Sequence, residues 1–169
     1  MLLADMKDPD SNNDFGKDII PAMLNDGGNL FAYKFKGYWK DVGTIDSLWE
    51  ANMDLLDKNN ALDLNDSTWK IYTEDVTALP QYIGADAVID RAFITQGCVI
   101  DGEVHNSVLF TGAKVAAGAK VINSVLMPGA EVAECAVVTR ALVADGIKTG
   151  KNAVVGSAAS NHIHLAATR

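Results

Sequence analysis

The sequence predicts a mainly β chain: a parallel β-helix built on hexapeptide repeats, preceded by a small α+β segment. Three observations carry this. From Ile83 onward the residues repeat at a fixed short step. Within each repeat an aliphatic recurs about every sixth position, beside Gly, Ala, Ser or Cys. Residues 1–58 show no such repeat and carry helix caps and one alternating apolar run instead.

Taken in order, residues 1–13 are polar and read as a loop or frayed end. Asp18 followed by Ile19, Ile20, Met23 and Leu24 predicts a short helix, with Pro21 tolerated in its first turn and Gly27-Gly28 ending it. Phe31, Tyr33 and Phe35 alternate with Ala32 and Lys34, the period of a half-buried strand. Gly37-Tyr38-Trp39-Lys40-Asp41-Val42-Gly43 is a glycine-bounded loop, after which Thr44 caps a helix running to about Lys58. The apolar stripe of that helix is Ile45, Leu48, Trp49, Met53 and Leu56, joined by Asn52. One strand cannot make a sheet, so this α+β half needs another surface for its apolar side. Residues 59–82 are rich in Asn, Asp and Pro and read as a connector, with one apolar stretch at Trp69–Tyr72 suited to docking on a neighbour.

In the repeat region, residues 83–169, Asn106-Ser107-Val108-Leu109 recurs as Asn123-Ser124-Val125-Leu126 and more loosely as Arg140-Ala141-Leu142-Val143, each time 17 residues on (106 to 123, 123 to 140). The same step takes Val104 to Val121 to Val138 and Val115 to Val132. A step of 15 maps Ile89 to Val104, Phe93 to Val108 and Ile100 to Val115. Three short strands per coil account for this: one aliphatic per hexad fills a narrow prism, small residues turn the corners, and each coil hydrogen-bonds the next. A β-sandwich has no reason to keep residue identity at a fixed short step.

Composition narrows the function. The 14 basic and 22 acidic residues leave a net charge of −8, with no Lys or Arg block, which disfavours a nucleic-acid or anionic-membrane partner. No apolar run approaches the roughly 20 residues a bilayer span needs. The N-terminal Met1-Leu2-Leu3-Ala4 is too short for a signal-peptide core, so a cytoplasmic location is expected. Two cysteines, Cys98 and Cys135, make no ligand or disulfide pattern and fill small-residue slots of the repeat, where buried inert thiols are expected.

Two stretches of the first half carry a resemblance. Asp14-Phe15-Gly16-Lys17-Asp18-Ile19-Ile20-Pro21 and Gly37-Tyr38-Trp39-Lys40-Asp41-Val42-Gly43-Thr44, with Leu48-Trp49-Glu50-Ala51-Asn52 following, resemble bacterial glucose-1-phosphate adenylyltransferases. Trp69-Lys70-Ile71-Tyr72-Thr73 and Leu79-Pro80 look like that family's interdomain connector. The resemblance implies the end of a nucleotidyltransferase domain (1–58), a connector (59–82) and a left-handed parallel β-helix (83–169). It also implies the chemistry of ATP and glucose 1-phosphate giving ADP-glucose and pyrophosphate, with Mg²⁺, in glycogen synthesis. In such enzymes the residues matching Asp14, Phe15 and Trp39 line the glucose 1-phosphate pocket, and the aspartate matching Asp41 binds the metal. The types suit the roles: an aromatic offers a wall to a sugar face, and a carboxylate accepts sugar hydroxyls or holds a hard cation. Without the resemblance, Asp41 reads as a cap for the following helix, and Trp39 and Phe15 as core.

The departures bear on function. No glycine-rich phosphate-cradling loop with its basic residue is present, and Gly27-Gly28 and Gly84 open no such helix. The chain therefore reads as the C-terminal part of such an enzyme, expected to be inactive alone and to form a homo-oligomer. Two alternatives are a stand-alone β-helix assembly or regulatory module and a hexapeptide acyltransferase. The second is disfavoured because His105, His162 and His164 read as exposed structural histidines rather than a base in a cleft. Lys114, Lys120, Lys148 and Lys151 read as a solvated face before an anion site.

Overall fold

The computed structural model describes residues 2–64, 66–73 and 77–167. Met1, residues 65 and 74–76 of the expected connector, and residues 168–169 lie outside that description. The chain divides into two compact units, residues 1–36 and 37–169.

In the first unit, a four-residue helix α1 (Leu2–Asp5) forms where the sequence reads a loop or frayed end. A π-helical turn at Phe15–Ile19 runs directly into α2 (Ile20–Asn25). The start is set by Asp14, whose Oδ1 accepts the N–H groups of Gly16 and Lys17, both at 2.8 Å, so the helical path begins four residues before Asp18. Pro21 sits in the first turn of α2, where no N–H is required. Beyond α2, Gly27 takes φ +72° and the Gly28 N–H bonds back to the Met23 carbonyl at 2.9 Å, closing the helix end. The expected strand at Phe31–Phe35 does not form: the segment has no ladder partner, and Phe31, Tyr33 and Phe35 are exposed. Alternation alone marks a strand only where a neighbour supplies donors and acceptors, and no described residue of this unit does.

The second unit opens with the Gly37–Gly43 loop and helix α3 (Ile45–Asp54). Thr44 accepts the Ser47 N–H while the Ser47 hydroxyl accepts the Thr44 N–H, a reciprocal cap that fixes the first turn. The helix ends at Asp54 rather than near Lys58, because the Asp54 carbonyl is taken by the Asp57 N–H and the Asn60 side-chain amide. Trp69, Ile71 and Tyr72, expected to dock on a neighbour, are exposed.

From Tyr82 the chain winds into a parallel β-solenoid of about four turns. Its strands are β1 (Tyr82–Ile83), β2 (Val88–Ile94), β3 (Val99–Ile100), β4 (Glu103–Leu109), β5 (Lys114–Val115), β6 (Lys120–Ile122), β7 (Val125–Leu126), β8 (Glu131–Val132), β9 (Val137–Thr139), β10 (Ala141–Val143), β11 (Val154–Val155) and β12 (His164–Ala166). They stack on three faces. One runs β1-β3-β5-β8. A second runs from the first halves of β2 and β4 through β6, β9 and β11. The third runs from the second halves of β2 and β4 through β7, β10 and β12.

The register reproduces the repeat in the sequence. Ile89 pairs with Val104, Val104 with Val121, and Val121 with Val138, all parallel. Val104, Val121 and Val138 are fully buried, as are Ile100, Leu109 and Leu126, so the prism interior is a column of aliphatics. The corners rely on left-handed backbone. Asn106, Asn123 and Arg140 stack there at φ 45°, 48° and 50°, a conformation that Asn tolerates and that ordinary side chains avoid. Beside them Ser107 and Ser124 are buried and span coils: the Ser107 Oγ accepts the Ser124 N–H, and the Ser124 Oγ accepts the Ala141 N–H, both at 3.1 Å. That satisfies buried backbone donors where the chain turns.

The last coil breaks the step. Ala141 pairs with His164, 23 residues on rather than 17 (141 to 164), so one extra hexad is looped out ahead of β12. Helix α3 lies on this flank, with Leu48, Trp49 and Met53 against Val125, Leu142 and Ile163.

Candidate functional site

The Tyr38–Thr44 segment is tied to α3 through Tyr38 and Lys40. The Tyr38 hydroxyl donates to Asp54 Oδ2 at 3.0 Å, and Lys40 Nζ donates to the same oxygen at 2.8 Å and lies 3.3 Å from Glu50. The Lys40 ammonium holds the Asp54 carboxyl below its usual range, and its bond to Asp54 in turn raises the Lys40 pKa. Burial, then the Asp54 charge, pushes the Tyr38 phenol upward.

With Tyr38 and Lys40 turned toward α3, Trp39 and Asp41 are left exposed, Trp39 at 76%. Asp41 Oδ1 accepts the Gly43 N–H at 3.2 Å, a local turn bond rather than a cap for α3, which Thr44 supplies. Neither Trp39 nor Phe15, itself 61% exposed, is core. Asp14 and Phe15 belong to the first unit, and the Asp14 carboxylate is engaged as the helix cap described above. Among the described residues no group of three His, Cys, Asp or Glu side chains could hold a metal ion. Asp41 offers a solvent-facing carboxylate beside Trp39, which suits a hard cation that keeps most of its waters.

The other candidates resolve into structure. The four solenoid lysines are all paired across coils: Lys114 and Lys148 with Glu131 at 3.0 and 2.7 Å, Lys120 with Glu103 at 3.0 Å, and Lys151 with Glu134. Each partner lies one 17-residue step away, so the step that located the valines also encodes this ladder. The lysines hold the glutamates below their usual carboxylate range. His105 sits 3.5 Å from Glu103, and His162 is exposed beside Asp46. Cys98 is buried, its thiol pushed up by desolvation, with Sγ donating to the Phe110 carbonyl at 3.2 Å. Cys135 departs from the expected burial. It occupies a left-handed corner at φ 56° with its side chain exposed, because the corner backbone directs the small-residue slot outward.

A family model described as GlmU-like, C-terminal hexapeptide matches residues 80–164, half of the chain. The chain belongs to this hexapeptide family. A second model, nucleotidyl transferase, matches residues 1–58 of the same hexapeptide protein. Relatives named glucose-1-phosphate adenylyltransferase include one from Bacillus cytotoxicus, 52% identical over 121 residues, or 72% of this chain and 32% of its own length. One from Clostridium acetobutylicum is 56% identical over 114 residues, 68% of this chain and 30% of its own length. One from Fusobacterium nucleatum is 51% identical over 118 residues, 70% of this chain and 31% of its own. The match falls on the C-terminal part of those relatives, so the hexapeptide chain spans about a third of their length. Among the described residues no helix is long and apolar enough to cross a membrane.

Proposed function

We propose that this chain supplies the C-terminal part of a glucose-1-phosphate adenylyltransferase. Residues 1–58 complete its nucleotidyltransferase domain, 59–82 connect, and 83–169 form the β-helix domain. The observation that carries the reading is the alternation at Tyr38–Asp41: two side chains lock the segment to α3, and the intervening Trp39 and Asp41 are presented outward as a pair. In the whole enzyme Trp39 and Phe15 wall the glucose ring and Asp14 accepts sugar hydroxyls once the rest of the pocket is present. Asp41 would hold Mg²⁺ there. When bound, Mg²⁺ neutralises charge on the phosphates that react. The protein's own contribution is positional: α3 fixes the backbone, so the aromatic wall and the carboxylate arrive together.

No glycine-rich ATP-cradling loop occurs in these residues, so ATP binding belongs to the remainder of the relatives' length. The 169-residue chain by itself is therefore expected to form no ADP-glucose from ATP, glucose 1-phosphate and Mg²⁺. Product above a no-protein blank would overturn this partition.

The proposal extends to assembly. Phe31, Tyr33 and Phe35 are exposed in the first unit, and Val88, Ile89 and Phe93 are exposed on the first coil. Such surface, with the open strand edge of β2, favours association with further copies. Light scattering at micromolar concentration is expected to give a mass well above 18.0 kDa. A monomer mass that persists as concentration rises would contradict it.

A further inference from the structure

Helix α3 is fastened to the solenoid at two points that the reading above does not use. At Trp49 the indole N–H donates to the Asn123 carbonyl at 2.9 Å, and the Arg140 guanidinium lies over the ring at 5.2 Å. Both contacts fall on the stacked left-handed corner, where Asn123 and Arg140 are successive members. One turn earlier on α3, Asp46 uses both carboxylate oxygens. Its Oδ1 accepts the Ile163 N–H at 2.7 Å and its Oδ2 lies 3.2 Å from His162 Nδ1.

His162 and Ile163 end the extra hexad of the last coil, which the 17-residue step does not require. The hexad is pinned from both sides of Asp46. The Ser160 hydroxyl donates to the His162 carbonyl at 2.7 Å, and Ile163 is buried with Val125 and Leu142 against α3. From the other end of α3, Asp54 and Glu50 hold Lys40 and Tyr38. The contacts thus run without a break from the last coil, through α3, to the segment bearing Trp39 and Asp41.

We propose that Asp46 is a positioning residue: by clamping α3 to the extra hexad of the last coil, it sets where the Trp39–Asp41 segment stands. A sugar phosphate's use of that segment rests on the function proposed above; the clamp does not. The extra hexad brings the Ile163 N–H within reach of Asp46. The local bonds are strong of their kind, since a carboxylate accepting a backbone N–H is charge-assisted. Trp49 supplies the second point, so rotation of α3 about the first is prevented.

Hydrogen exchange read by mass spectrometry on the full 169-residue chain tests this. In Asp46→Ala, peptides covering residues 37–54 are expected to exchange about tenfold faster, the loss of a bond to a charged acceptor, while residues 99–143 keep their protection. Asp46→Asn retains an oxygen for the Ile163 N–H and is expected to restore most of that protection. A side chain acting through its charge alone would not give this rescue. Trp49→Phe keeps an aromatic ring, smaller than the indole, and removes the N–H that Asn123 accepts; it gives the same readout at the second fastening point should Asp46→Ala fail to fold. Unchanged exchange over 37–54 in Asp46→Ala, or equal acceleration in the coils, would overturn the clamp. A second arm separates the two readings. In enzyme completed with the N-terminal part of a relative, Asp46→Ala is expected to raise the KM for glucose 1-phosphate several-fold. Faster exchange with an unchanged KM would keep the clamp and count against Trp39–Asp41 as the sugar-phosphate site.

Discussion

Val121→Asp is expected to abolish cooperative folding of the solenoid. Val121 is fully buried and pairs in register with Val104 on one side and Val138 on the other, in a middle coil. The nearest charged partners, Lys120 and Glu103, point out of the prism and already bind each other at 3.0 Å. A carboxylate at position 121 is thus left without a counter-charge among aliphatics, at a cost on the order of 3–5 kcal/mol. That is comparable with the whole stability of a small domain, ~5–15 kcal/mol. Because each coil is stabilised largely by the coils stacked on it, a broken middle coil also uncouples the coils on either side. Val121→Ala removes only methyl groups and is expected to cost about 2 kcal/mol. Urea unfolding followed by circular dichroism separates the three proteins, and a Val121→Asp midpoint equal to that of the wild type would show that the column is not the core.

Asp41→Asn carries the largest expected effect on chemistry. The exchange keeps the size of the side chain and its turn bond to the Gly43 N–H, an interaction that an amide oxygen also makes. What changes is the charge available to a divalent cation at the sugar phosphate. In enzyme completed with the N-terminal part of a glucose-1-phosphate adenylyltransferase, turnover is expected to fall about 100-fold or more, with a much smaller change in the KM for glucose 1-phosphate. A loss confined to KM would make Asp41 a binding group only. A loss accompanied by a lower melting temperature would return it to a turn residue.

The middle coils of the repeat region were legible in the sequence because their signal is one-dimensional. A parallel solenoid places position i above position i+17, so sequence step and spatial neighbour are the same quantity, as Val104, Val121 and Val138 show. The Lys114–Glu131–Lys148 ladder lay in that same step and could have been read with the valines. The α+β half was less legible. Thr44 and Pro21 announce local events and were read correctly. The Phe31–Phe35 alternation asks for a partner strand, and no local rule reveals whether one is present. The Asp46–Ile163 bond joins residues 117 apart through an irregular hexad, so neither period nor motif points to it. Of the candidate site, the motif located Trp39 and Asp41, and the structure adds why they stand together: Tyr38 and Lys40 are tied to Asp54.

These residues are proposed to be one functional portion of an adenylyl-transferring enzyme. The most direct measurement is complementation. The portion of the Clostridium acetobutylicum relative that this chain does not match is mixed with the 169-residue chain and assayed for ADP-glucose from ATP, glucose 1-phosphate and Mg²⁺. Product is expected from the mixture and from neither piece alone. The proposal would be contradicted if the mixture stays silent while the two pieces co-elute and the relative's own C-terminal segment restores activity under the same conditions.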